Sequence, residues 1–189
     1  MNWLYGTLLF VAAQRCAELL YARANTRRAL ASGAREIAAH QYPWIVALHS
    51  AWLAAMLLFI PQSAEPNFWL LGAYAVLQLA RIWSIASLGP YWTTRIITFP
   101  GRPLVARGPY RYLRHPNYAI VACEIAIVPL VFGAWQIAAL FTVLDAIVLA
   151  ARIRAENPVL EARLAAQDTR PAQDTRPAHD ASIDRRKLR

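Results

Sequence analysis

The chain has 189 residues, enough for one soluble domain or one small membrane bundle. It is 58% hydrophobic and only 16% charged, with mean hydropathy +0.29, where soluble domains run at about 45–50% apolar and about 25% charged. That excludes an ordinary soluble domain and a disordered chain, and two cysteines exclude a disulfide scaffold. The net charge of +9 does not require a nucleic-acid partner. Arginines that orient a membrane protein give the same balance, and seven tryptophans suit the aromatic belts at membrane edges.

Five apolar stretches follow one another: 3–21, 44–60, 68–88, 118–132 and 134–151. Each approaches the roughly 17–25 residues that cross a bilayer as a helix. The predicted fold is therefore an all-α integral-membrane bundle of about five helices. Gly133 leaves almost no connection between the last two, so they read as a tight helical hairpin with Pro129 near its turn. The N-terminus lacks the basic start and cleavage site of a signal peptide, and 3–21 is kept as a helix of the mature chain.

Charge placement supports this topology. If the chain starts outside and weaves, the inner segments 22–43, 89–117 and 152–189 hold 4, 5 and 9 Lys and Arg. The outer connections hold none, and only Arg15 and Arg81 lie within spans. That asymmetry is the positive-inside pattern. It predicts five spans with the C-terminus in the cytosol. Residues 22–42 read as a basic connector and 89–117 as a long loop rich in Gly, Pro, Arg and Tyr. Residues 1–161 form the membrane domain. The tail 162–189 is polar and carries QDTRPA twice (167–172 and 173–178), which predicts disorder. Its end, with Arg185, Arg186, Lys187 and Arg189, is suited to anionic lipid.

Polar residues inside a membrane are costly, so each needs a partner or a purpose. Arg15 and Glu18 are three apart on one helix face and read as a local ion pair. Gln78 and Arg81 share a face of the third span. Glu124 is about two turns into the fourth span and Asp145 about two turns from the end of the fifth, at similar depth. Arg81, Glu124 and Asp145 are expected to form one buried network, either structural or lining a substrate pocket. Cys16 and Cys123 read as small apolar residues, and no metal-ligand spacing is present.

The segment 101–118, GRPLVARGPYRYLRHPNY, is polar yet leads directly into the fourth span. Pro116 suits the first turn of a helix, where its missing N–H costs nothing. Arg114 and His115 then stand at the helix mouth with Tyr118 one turn in, beside unpaired helix N–H groups. The hairpin returns RIRAENPVL (152–160) to the same face, so Arg152, Arg154 and Glu156 approach His115. Two polar clusters converging at one membrane surface predict a site for a polar ligand beside a lipid-accessible cavity.

GPYRYLRHPNY, a short helical hairpin and RIRAEN together resemble the C-terminal half of the isoprenylcysteine carboxyl methyltransferase family, over about 88–161. The resemblance implies S-adenosylmethionine as methyl donor. It implies that Tyr110, His115, Pro116, Tyr118, Arg152 and Glu156 bind this cofactor, with Arg114 shaping the loop and acting in catalysis. The second Glu of the family's paired motif is Asn157 here, and the Gly that usually follows RHPxY is replaced by Ala119 and Ile120. Together with Glu124, these departures make the chain most similar to the bacterial branch that O-methylates alkylpyrones and alkylresorcinols. The acceptor implied is thus a lipophilic small molecule with an acidic or phenolic hydroxyl, from which Glu124 would remove the proton. A prenylcysteine carboxylate is the alternative acceptor, and an NADPH-dependent enzyme of the sterol-reductase type is the alternative class.

Overall fold

The computed structural model describes residues 2–99 and 104–168. The second part of the tandem repeat, the basic C-terminal end and residues 100–103 lie outside the described residues. Five α-helices carry the fold: α1 (Trp3–Ala31), α2 (Tyr42–Phe59), α3 (Phe68–Leu88), α4 (Pro116–Val131) and α5 (Trp135–Asp168). The all-α membrane bundle expected from hydropathy is the architecture found. Three segments, Ala39–Phe59, Phe68–Tyr91 and Trp135–Ala165, are long and apolar enough to cross a membrane unaided. Helix α4 is apolar but shorter, and α1 is interrupted by Arg15 and Glu18.

The apolar core joins Leu4, Leu8 and Val11 of α1 to Trp52 and Met56 of α2, Tyr74 of α3, Ile125 and Val128 of α4 and Phe141 of α5. Large side chains on the other faces, such as Leu58, Trp69, Leu79 and Ile147, are exposed. A bundle in lipid has no reason to hide them.

The α4–α5 hairpin closes as its sequence suggests. Gly133 adopts a positive φ of 71°, which a glycine reaches without strain. Ala134 N–H returns to the Pro129 carbonyl at 3.0 Å and Gly133 N–H to that of Leu130 at 3.0 Å, capping carbonyls that α4 leaves open. Pro129 has a second consequence. Lacking an N–H, it cannot bond the Ile125 carbonyl one turn back. The buried Trp52 indole N–H of α2 fills that vacancy at 3.2 Å, so a helix-breaking residue becomes an inter-helix link.

Two expectations about the connections are corrected. The segment after residue 21 is not a polar connector: α1 continues to Ala31, its Arg-bearing turns extending the rod by about 1.5 Å per residue. The segment 89–117 is not an irregular loop throughout. Its strand β2 (Ile96–Thr98) pairs antiparallel with β1 (Arg35–Ile37), and Arg95 bonds Glu36 at 2.9 and 3.0 Å while lying over the Tyr42 ring. Asn25, fully buried, donates to the carbonyls of Gly89 and Trp92 at 3.2 and 2.8 Å. The far end of α1 therefore holds the polar segment in place. Helix α5 likewise runs through Asp168, past the expected boundary at 161.

The Trp52–Pro129 link gives a test by coupling. Trp52→Phe should destabilise the protein by about 1–3 kcal/mol, the cost of an unpaired buried carbonyl plus lost packing. In a Pro129→Ala background, where the helix can bond its own carbonyl, the same change should cost less. Thermal unfolding of the four proteins in detergent reads the difference.

Candidate active site

Two polar assemblies occupy the bundle, one at its basic end and one in its interior. The first is built where α4 begins and α5 leaves the core. Pro116 is the first residue of α4 and is buried, and His115 is its N-cap with an extended φ of −129°. That geometry turns the His115 ring onto Tyr118, the two stacking at 5.1 Å with 11° between planes. From α5, Glu156 accepts the Tyr118 hydroxyl at 2.7 Å and lies 3.6 Å from His115 Nδ1. Asn157 Oδ1 meets His115 Nε2 at 2.9 Å. Arg152, 5% exposed, donates to the Tyr118 hydroxyl at 3.2 Å and to the Thr94 carbonyl at 3.1 Å, with its guanidinium over the Tyr118 ring.

The short 3-10 turn Gly108–Arg111 brings Tyr110 to this cluster. Gly108 has φ of 58°, and a Cβ there would stand 1.9 Å from the Ser87 hydroxyl. Only glycine lets the turn lie this close to α3, and Arg107 secures it by donating to the Ser87 carbonyl at 2.8 Å. Burial, and then the nearby Glu156 charge, push the Tyr110 phenol above its ordinary range. It stays a neutral hydrogen-bonding group at physiological pH.

Of the residues singled out in the sequence, His115, Pro116, Tyr118, Arg152 and Glu156 converge here, with Tyr110 beside them. Arg114 does not. Its side chain is 62% exposed and faces the equally exposed Glu161 at 3.6 Å, because the bend that turns His115 inward turns its neighbour outward. Arg154 is exposed as well. Two participants were not legible in advance. Thr94 acts through its backbone carbonyl, which no side-chain pattern announces. Asn157 stands out in the sequence only as a departure from a paired-Glu motif, and here it holds the His115 ring.

The interior assembly is a four-charge hub. Glu124 of α4, 1% exposed, accepts from Arg15 of α1 at 2.5 Å, from Gln78 of α3 at 2.7 Å, and from Arg81 of α3 through two guanidinium nitrogens, Nε at 3.0 Å and Nη2. Glu18 of α1 receives Arg15 and Arg81, each at 3.1 Å. Gln14 donates to Glu18 at 2.9 Å and accepts from the Tyr74 hydroxyl. The expected local pair of Arg15 and Glu18 exists but is one edge of this wider hub. The expected network of Arg81, Glu124 and Asp145 is corrected at its third member. Asp145 is 2% exposed, and its Oδ2 has no hydrogen-bond partner among the described residues.

Residues 70–162, which span α3, the polar segment and the α4–α5 hairpin, match the family described as isoprenylcysteine carboxyl methyltransferase. The chain is also similar to the uncharacterized protein YpbQ of Bacillus subtilis, with 38% identity over 165 residues that cover 85% of this chain and 97% of the relative. No solved structure matches the chain significantly.

The two assemblies should respond differently to mutation. Glu124→Gln leaves the buried Arg81 and the part-buried Arg15 sharing Glu18, and should cost about 3–5 kcal/mol of stability. Arg114→Ala breaks an exposed pair and should change stability by less than about 0.5 kcal/mol. Chemical unfolding in detergent decides. Equal costs would contradict the contrast in burial.

Proposed function

The chain belongs to the isoprenylcysteine carboxyl methyltransferase family, a family of membrane methyltransferases, and on that premise we propose that its methyl donor is S-adenosylmethionine. Its acceptor is an oxygen of a lipophilic molecule, of the alkylpyrone or alkylresorcinol type. The observation that carries this reading is the closed set of contacts among His115, Tyr118, Arg152, Glu156 and Asn157, at the mouth of α4.

The residues fit such a donor. Glu156 offers a carboxylate to ammonium or hydroxyl groups. The flat His115–Tyr118 stack offers an aromatic face to a purine or a sulfonium. Two buried polar atoms next to the cluster in sequence, Trp92 Nε1 and Asn117 Oδ1, have no hydrogen-bond partner among the described residues. Buried polar atoms are rarely left so, and a polar ligand would satisfy them. When bound, the donor supplies an electrophilic methyl group: the acceptor oxygen's electron pair forms the new O–C bond while the C–S bond breaks and its pair stays on sulfur.

The protein's own work is alignment. Arg152 holds the Tyr118 hydroxyl and the Thr94 carbonyl together, and so ties the polar segment to the hairpin. Asn157 sets the orientation of the His115 ring. Glu124 serves structure here rather than proton removal, because both its oxygens already accept from guanidinium groups. Arg114 has no role in the reaction beyond the surface. The cluster faces the cytosol of a bacterial cell, in keeping with the basic residues around it.

Equilibrium binding to the detergent-purified protein tests the reading. S-adenosylmethionine should bind, and His115→Ala or Glu156→Ala should weaken it at least about tenfold while the unfolding temperature stays near wild type, since a charge-assisted hydrogen bond contributes on the order of 1.5–3 kcal/mol. Binding of NADPH in its place would move the chain to the reductases. Unaltered binding in both variants would refute the site.

A further inference from the structure

Helix α5 carries one continuous buried stripe. Ala138, Phe141, Asp145 and Arg152 are each at most 6% exposed, and Glu156 follows on the same face. At 100° per residue, positions 145, 152 and 156 point within about 40° of one another. Asp145 therefore lies directly below the His115–Arg152–Glu156 cluster, about 10 Å deeper along the helix axis. The hub residue whose charge reaches it is Arg15.

The surroundings of Asp145 differ from those of every other acid in the bundle. The hub is complete without it: Arg15 and Arg81 are balanced by Glu18 and Glu124, and each of these acids is bonded to both arginines. Asp145 is a further acid in this interior; among the described residues it has no bonded counter-ion, and its Oδ2 is buried and unpaired. Its charged neighbour, Arg15, is already committed to Glu18 and Glu124. An acid left so in a membrane interior is costly to keep, and no described residue bonds its Oδ2.

We propose that Asp145 is the recognition group for the acceptor's hydroxyl: its free carboxylate oxygen takes a hydrogen bond from a neutral phenol or enol. The inference rests on the methyltransferase reading and sharpens its substrate class. A hydroxyl donor satisfies Oδ2. A carboxylate head there, as on a prenylated cysteine, would put a second acid beside Asp145, while Arg15 is already bonded to Glu18 and Glu124. The site thus selects acceptors that arrive neutral and carry O–H, and it disfavours acceptors that arrive as carboxylates. When the oxygen is methylated, the displaced hydroxyl proton goes to the Asp145 oxygen it already touches.

Binding measured without any methyl donor tests this separately from the reaction. The probes are a long-chain alkylresorcinol, its dimethyl ether and an S-farnesyl cysteine, titrated into wild type, Asp145→Leu and Asp145→Asn in detergent. Wild type should prefer the resorcinol to its ether by about tenfold or more, and Asp145→Leu should lose that preference. Asp145→Asn, which keeps the shape and removes the charge, should bind the farnesyl cysteine more tightly than wild type does. It keeps the second readout should the leucine variant fail to fold. Equal binding of resorcinol and ether by wild type, a preference that survives in Asp145→Leu, or no gain for the carboxylate in Asp145→Asn would each overturn the assignment. S-adenosylmethionine binding by the same proteins is scored separately: its absence from wild type removes the methyltransferase reading, whereas its retention in the Asp145 variants shows that only acceptor recognition was changed.

Discussion

Burying charge in a medium that cannot solvate it is the constraint on which this bundle depends. Four ionised groups, Arg15, Glu18, Arg81 and Glu124, meet inside it, and none could stay there alone. Their solution is mutual: each acid contacts both arginines, and Gln14, Gln78 and Tyr74 take up further hydrogen bonds. Because the members come from α1, α3 and α4, the hub also fixes how these helices are rotated and how far each has slid. Apolar side chains do not specify this well in lipid, where one greasy contact resembles another. Directional hydrogen bonds do.

The same logic operates at smaller scale wherever the backbone loses a partner. Pro129 frees a carbonyl and Trp52 crosses from α2 to bond it. Asn25 satisfies two carbonyls of the chain after α3. In each case a polar group that cannot remain unpaired recruits a residue distant in sequence, and the helices are joined as a result. The polar segment between α3 and α4 is positioned this way rather than by a core of its own. Asn25 and the β1–β2 pairing hold one side of it, Gly108 lets it approach α3, and Arg152 binds its Thr94 carbonyl.

The polar cluster at the mouth of α4 is thereby supported from below. The hairpin aligns α4 with α5, the hub holds α4 against α1 and α3, and the ends of α4 and α5 carry His115, Tyr118, Arg152, Glu156 and Asn157 into one cluster. A methyl transfer asks the protein for position more than for acid–base chemistry, and a rigid frame beneath a small polar cluster supplies position. Asp145 stands between frame and cluster, buried as the hub residues are but unsatisfied as they are not.

Much of this was legible in the sequence. Apolar length determined the all-α membrane bundle, because lipid admits few other solutions. The spacing of RHPNY, the Gly133 turn and RIRAEN determined that two polar motifs return to one face, because helix geometry is regular. Tertiary structure alone decided which polar groups pair. Glu124 and Asp145 look alike in sequence, two acids at similar depth in neighbouring helices, yet one is bonded to two arginines and the other is left open. Arg114 and Arg152 both flank the motifs, yet one faces outward and the other is buried. Sequence spacing gives the face and depth of a residue on its own helix. Which groups then come within hydrogen-bonding distance depends on the rotation and slide of separate helices, which only the packed bundle sets.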